Sequence, residues 1–247
     1  MSLKDYRRII TGKDLVSFEI EVKETNLYIR AARNLTTKAL RLTHKYRGQL
    51  EGYIARHPEF TTSLVPFPIQ GDEPVIVQAM LKAGLKAGVG PMASVAGAIA
   101  EFVGSELLPY SPEIIVENGG DIYLKILQKR VVGIYAGESP LSGRVGLEVE
   151  PRDTPLGICT SSGTVGHSVS FGKADAVVII SPSVTLADAA ATAIGNKVRK
   201  ESDIAPCLEF AKGIEGITGI IIIKDDKMGS WGRVKLCSTM TEPDKNE

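Results

Sequence analysis

Five short strand-like runs follow one another from Glu113 to Ser161, namely EIIVE, DIYLKI, VVGIYAG, RVGLEVE and GICTS, and no helical pattern separates them. Sustained strand–helix–strand alternation is therefore absent, so antiparallel sheets fit the sequence better than a doubly wound parallel sheet. The pattern fits an α+β fold whose antiparallel sheets are packed by helices.

The flanking sequence supports that class. Val16 to Val22 (VSFEIEV) and Asn26 to Ala31 (NLYIRA) alternate like an antiparallel pair across KET. Thr36 or Thr37 opens a long amphipathic helix, with apolar residues at Leu40, Leu42, Tyr46, Leu50, Tyr53 and Ile54 and a stop at Pro58. After a proline-rich loop, helices are expected over Val75 to Ala87 and Pro91 to Leu107. The second of these is rich in small residues, which let another backbone or a ligand come close. Beyond the strands come DAVVIISP, a helix in VTLADAAATAIGN, and a further helix around Ile204 to Ile214. A terminal pair, ITGIIIIKDD and SWGRVKLCS, is joined through KMG. The order strand pair, helices, strands, helix pair, strand pair has the form of an internal duplication, although no sequence repeat accompanies it. We expect one domain over residues 1–247, with a frayed tail from Thr239.

At 247 residues and 43% hydrophobic composition the chain can bury a full core. Its 29 basic and 29 acidic side chains cancel, so no electrostatic footprint for nucleic acid or an anionic membrane is present. Cys159, Cys207 and Cys237 are odd in number and far apart, which fits neither a disulfide framework nor a CxxC metal knuckle. The start, MSLKDYRRII, lacks an apolar signal core, and runs such as ITGIIII are too short to span a bilayer. A cytoplasmic protein is expected.

Three stretches can carry chemistry. Asp188 and Thr192 stand four apart on a helix, so a carboxylate and a hydroxyl face one point, and such a pair can hold a Mg²⁺ ion whose other ligands are waters and substrate phosphates. Equally, Thr185 and Asp188 match a capping box, and Thr192 can bond back to the Asp188 carbonyl. In ENGGDI, Asn118 to Asp121 read as a tight hairpin turn whose Gly119 and Gly120 leave the backbone open to a ligand. In CTSSGTVGHS, residues Thr160, Ser161, Ser162 and Gly163 read as a loop after a strand, either an anion-binding nest or a solvated connector. His167 is the only histidine away from the first long helix. A GxxxxGK[ST] loop and a GxGxxG fingerprint are both absent, which argues against a P-loop nucleotidase and a dinucleotide Rossmann unit.

In this order GPMASVAGAIAE, VENGGDIYL, CTSSG and SPSVTLADAAATA resemble the motif series of the FAD:protein FMN transferases, the ApbE family, over about Gly90 to Ile194. The resemblance implies a pair of T-fold-like units and a Mg²⁺ held by Asp188 and Thr192. It also implies a flavin-nucleotide cleft lined by Asn118, Gly119, Gly120 and Asp121 and by Thr160, Ser161, Ser162 and Gly163. Three departures accompany it. Ala96 and Gly97 stand where the family has lysine and glycine, and Glu101 stands where it has aspartate. HSVSFGKADA replaces a segment of the form HIIDPxTG, leaving His167 and Lys173 as its polar candidates. The chain therefore resembles a compact, cytoplasmic branch of the family more than its exported transferases.

The expected function is Mg²⁺-dependent transfer of FMN from FAD to a protein hydroxyl, or hydrolysis of the FAD diphosphate, with His167 as the candidate base. The alternatives are a non-catalytic flavin, pterin or nucleotide-binding protein, and an assembly subunit with a vestigial cleft. T-fold proteins often associate through their sheets, which makes a homo-oligomer a further expectation.

Overall fold

The computed structural model describes residues 14–163 and 172–239. Strands β1 (Val16–Val22) and β2 (Thr25–Ala31) form the first hairpin. Helices α1 (Thr36–Arg56), α2 (Val75–Ala87) and α3 (Val95–Leu107) follow. Next come strands β3 (Ile114–Asn118), β4 (Asp121–Lys125), β5 (Arg130–Gly133), β6 (Val145–Val149), β7 (Leu156–Ser161) and β8 (Ala176–Ser181). Helices α4 (Val184–Gly195) and α5 (Ile204–Lys212) precede strands β9 (Gly219–Lys224), β10 (Lys227–Gly232) and β11 (Leu236–Ser238).

Eight strands make one antiparallel sheet in the order β1-β2-β3-β4-β7-β8-β9-β10, and β11-β6-β5 make a second, smaller one. The α+β expectation therefore holds, and each half of the large sheet has helices inserted between two strand pairs. The large sheet is buried on both faces through its centre, which explains the continuous apolar run IIII at Ile220 to Ile223. Ile220 and Ile222 pack in the core under the helices, whereas Ile221 and Ile223 belong to the core against the small sheet. At the β1 edge the demand is one-sided, and the alternation Phe18, Ile20 and Val22 buried, with exposed residues between, returns.

Three boundaries differ from expectation. The Pro91 helix begins as a 3-10 turn over Pro91–Ser94, and α3 proper starts at Val95. The terminal hairpin turns at Asp225 and Asp226 rather than at KMG, with Asp225 at φ 55°, a left-handed conformation that Asp tolerates. The SWGRVKLCS run is split, its start ending β10 in the large sheet and its end forming β11 in the small one. Thr239 is tied down, its amide donating to the Arg144 carbonyl at 3.1 Å, and residues 240–247 lie outside the described residues.

Small residues of α3 allow the close approaches the sequence suggested, and protein makes them. A Cβ on Gly97 would sit 2.7 Å from the Asp188 Cβ, and one on Gly104 would meet the Tyr123 ring at 2.3 Å.

Candidate functional site

Sheet register assembles the site. Leu27, Asn118, Asp121, Cys159, Ile179 and Ile220 are successive cross-strand partners, so they form one row across the sheet. Leu27, Cys159, Ile179 and Ile220 belong to the core beneath the helices. Asn118 and Asp121 are thus polar interruptions of an otherwise apolar row, on the face where α3 and α4 pack. Both are buried.

The turn between them has the two-residue form the sequence suggested, with Gly119 at φ 65° and Gly120 at φ 103°. It is held by the buried Glu117, whose carboxylate accepts the Gly120 amide at 2.8 Å, and by Asn118, whose side-chain amide donates to the Ala96 carbonyl at 3.0 Å. The Thr160 stretch differs from expectation: Thr160 and Ser161 are the last residues of β7, and only Ser162 and Gly163 lie beyond the strand. Register puts Cys159 opposite Asp121, and the Thr160 carbonyl lies 3.7 Å from where a Gly120 Cβ would be. The two predicted stretches therefore meet. Ser161 faces α4, its Oγ 3.1 Å from where a Gly195 Cβ would be, and the Gly163 amide donates to the Ala174 carbonyl at 2.9 Å.

Neither bland account of Asp188 and Thr192 matches the structure. The cap of α4 is Ser183, whose hydroxyl accepts the Leu186 amide, aided by Glu101 from α3. One carboxylate oxygen of Glu101 accepts the Thr185 amide at 2.8 Å and hydroxyl at 2.7 Å, and the Ser183 hydroxyl at 3.2 Å. Asp188 instead reaches across to α3, where its Oδ2 accepts the Gly97 amide at 2.8 Å. The Thr192 hydroxyl faces the Ala93 carbonyl at 3.5 Å, a long contact that leaves it weakly committed. Both departures from the family pattern that lie on α3, Ala96 and Glu101, thus touch Asn118 or the amino end of α4, and the retained Gly97 touches Asp188.

The electrostatics of this floor are those of crowded carboxylates. Burial pushes the Asp188 carboxyl up to about 7, against the opposing pull of the Gly97 and Ala96 amides. Burial and then the Asp188 charge push Asp121 well above the usual carboxylate range, although the Cys159 thiol and the Thr160 amide both bond it. Among the described residues no lysine, arginine or histidine forms an ion pair with either. Burial, followed by the Asp121 and Asp188 charges, raises the Cys159 thiol well above its ordinary value, so this sulfur is a protonated donor and not a nucleophile.

Among the described residues no group of three or more His, Cys, Asp or Glu side chains is arranged to hold a metal ion by itself. Mg²⁺ does not require one, since it is commonly bound by one or two carboxylates with waters and substrate phosphates. Two mutually repelling carboxylates without a cationic partner meet that requirement, so the donor set fits such an ion. Asp121 is the residue that sequence reasoning assigned to the nucleotide alone; its proximity to Asp188 depends on strand register and helix packing across 67 positions of chain. His167 lies outside the described residues. Lys173 is exposed.

The fold is that of an ApbE-like α+β protein. A flavinyl transferase ApbE of Pseudomonas stutzeri, in apo form, shares the fold at a TM-score of 0.55 and 12% identity, over 88% of this chain and 94% of that one. A flavin transferase ApbE of Vibrio cholerae, in a mutant form, gives 0.53 and 13% over 88% and 97%. A family model described as AbpE bacteria matches residues 7–212. A UPF0280 protein of Methanocella arvoryzae is 45% identical over 218 residues, 87% of each chain. One of Methanocaldococcus jannaschii is 46% identical over 221 residues, 87% of this chain and 90% of that one. The chain belongs to this ApbE-like family and, within it, groups with the UPF0280 proteins.

Proposed function

We propose that the protein acts on the diphosphate of a flavin nucleotide in the presence of Mg²⁺, passing FMN from FAD to a protein hydroxyl or to water. The observation that carries this reading is the pair of cation-free carboxylates, Asp121 and Asp188, beside the bare Gly119–Gly120 turn. In the transfer the acceptor oxygen bonds to the flavin-side phosphorus, the bridging phosphorus–oxygen bond breaks, and AMP leaves with the bridging oxygen. The acceptor's proton passes to a base, for which His167 is the candidate.

Phosphoryl transfer depends chiefly on positioning and charge neutralisation. When bound, Mg²⁺ would neutralise the diphosphate and the developing charge on the leaving group. Asp188 and Asp121, with Thr192 one turn further along α4, are the residues assigned to hold it. The Gly119–Gly120 turn admits the nucleotide close to the backbone, and Thr160 to Gly163 border it. The soluble flavin nucleotide is then the ligand, and an acceptor protein the partner. Three free cysteines, two of them buried, suit a reducing cytoplasm. Among the described residues no single helix is long and apolar enough to cross a membrane.

AMP release from FAD with Mg²⁺, compared between wild type, Asp188→Ala and Asp121→Asn, tests the proposal. Equal rates in all three would remove the role given to the carboxylates. A second reading, a protein that binds flavin, pterin or another nucleotide without turnover, is supported by Ala96 in place of the family lysine and by the Asp188 oxygen already bonded to Gly97. Tight flavin binding with no product after long incubation would select it.

A further inference from the structure

Ten large hydrophobic side chains are exposed among the described residues, and four of them, Leu64, Val65, Ile69 and Val75, crowd into one short stretch of chain. Three lie in the proline-rich loop of residues 62–74, and Val75 opens α2. Leu64 and Val65, at 67% and 66%, are the most exposed of the ten. Single apolar residues scattered over a surface need no explanation, whereas a concentrated patch marks a site of interaction.

The loop carrying this patch is pinned along its length. Phe67 turns inward, its ring edge-on to the buried Phe60 at 5.7 Å. Both carboxylate oxygens of the buried Glu73 accept loop amides, from Gln70 at 2.5 Å and Gly71 at 2.9 Å. The Ser63 amide donates to the Glu59 carbonyl at 3.0 Å, and the Ser63 carbonyl lies so close to Gly90 that no side chain fits there. Pro66 and Pro68 fix two further backbone angles. Apolar side chains on a backbone ordered in advance lose little more freedom when they bind.

Two observations say what covers the patch. The Leu64 backbone abuts Gly90, the Gly90 carbonyl accepts the Ala93 amide at 3.2 Å, and the Ala93 carbonyl faces the Thr192 hydroxyl. Leu64 therefore adjoins the Thr192 end of the proposed cation site. The flanking charge is acidic: Glu59 and Asp72 are exposed, and among the described residues neither forms an ion pair with a lysine or arginine. Arg56 offsets one of the two. A second copy of the chain would set this acidic rim against its own kind, and an anionic lipid surface would be repelled. An extended segment with apolar side chains and a lysine or arginine is the complement.

We propose that residues 64–69, with Val75, dock an apolar, basic segment of the acceptor polypeptide and so bring its hydroxyl to the Thr192 end of the cleft. Naming the occupant as the acceptor rests on the transfer reading above, whereas the chemistry of the surface does not.

The test selects random peptides of about twelve residues, displayed on phage, against the full-length protein. Synthetic copies of those selected are titrated against wild type, Leu64→Ser/Val65→Ser, Ile69→Ser and Asp72→Asn. The replaced side chains are exposed, so all four proteins should melt alike, and Ile69→Ser stands in if the double variant does not fold. The selected peptides should combine leucine, valine or phenylalanine with lysine or arginine. They should bind the double variant about tenfold or more weakly, and the smaller loss in Asp72→Asn should vanish in high salt. Selection of no peptide, selection of acidic peptides, or wild-type affinity in the folded apolar variants overturns the proposal. Dimerisation, or sedimentation with phosphatidylglycerol vesicles, that the double variant abolishes also overturns it, since the patch then has another occupant. Peptides bearing serine or threonine are finally offered with FAD and Mg²⁺. Peptide binding at the patch with no AMP release from any of the proteins would count against the transfer reading alone. AMP release and peptide flavinylation that are equal in wild type and the double variant would count against this surface alone.

Discussion

Glu101 and Thr185 are joined twice, one carboxylate oxygen taking both the amide and the hydroxyl of Thr185. Glu101 thereby satisfies orphan donors at the amino end of α4 from the middle of α3, while Asp188 of α4 accepts the Gly97 amide in the first turn of α3. Each helix caps the other. The arrangement fixes the lateral position of Asp188, so the cap and the proposed cation site share one mechanical element.

Replacing Glu101 with alanine removes the acceptor for both Thr185 donors and the Ser183 hydroxyl. Loss of a helix cap costs about 1–2 kcal/mol, and we expect Glu101→Ala to lower the urea midpoint accordingly. Glu101→Gln keeps a neutral acceptor and should lose less. Wild-type midpoints in both would show that the cap contributes nothing.

Gly97→Ala tests the helix contact from the other side. The added methyl would lie 2.7 Å from the Val184 carbonyl oxygen and from the Asp188 Cβ, and neither can rotate away. Forcing an atom into such a contact costs about 1–3 kcal/mol. Urea unfolding should show that loss, and weaker Mg²⁺-dependent nucleotide binding should accompany it, since Asp188 moves with α4. A variant with wild-type stability would mean that the helices separate freely.

Local signals account for what was legible in the sequence. Val75–Ala87 emerges with the expected bounds because Pro74 and the left-handed Gly88 punctuate it. Asn118 to Asp121 emerges as a turn because Asn-Gly chemistry is short-range. Asp188 read as a helix cap as readily as a cation ligand until the family resemblance was added, and its partner Gly97 lies 91 residues away in sequence. Likewise, Glu101 as the cap of α4 and Asp121 as the neighbour of Asp188 both depend on tertiary packing. Periodicity within a segment carries no such information.

Acid stability offers an independent check at the far side of the sheet. Asp14 receives two bonds of 2.6 Å from the buried Arg130, and that side-chain contact lowers its carboxyl from 3.8 to about 2. A depressed carboxyl contributes stability above its unfolded pKa and loses it as pH falls through the folded value. Wild type should therefore lose stability between about pH 3.8 and about pH 2 more steeply than Asp14→Asn. Parallel acid-unfolding curves would deny the pair any role, and the partial exposure of Asp14 keeps the expected difference small.

The hairpin turn makes a paired prediction, because its two glycines are required to different degrees. Gly119, at φ 65° with nothing within 4 Å of an added Cβ, occupies the left-handed well that asparagine tolerates. Gly119→Asn should therefore change the melting temperature little. Gly120, at φ 103°, lies where side-chain-bearing residues are strained, and its Cβ would point toward Thr160. Gly120→Ala should cost about 1–3 kcal/mol and weaken FAD binding, because the methyl enters the approach to the backbone. Thermal melts of both variants with and without FAD decide the point: equal behaviour of the two, or wild-type FAD stabilisation in Gly120→Ala, would show that the bare turn is not the approach the nucleotide uses.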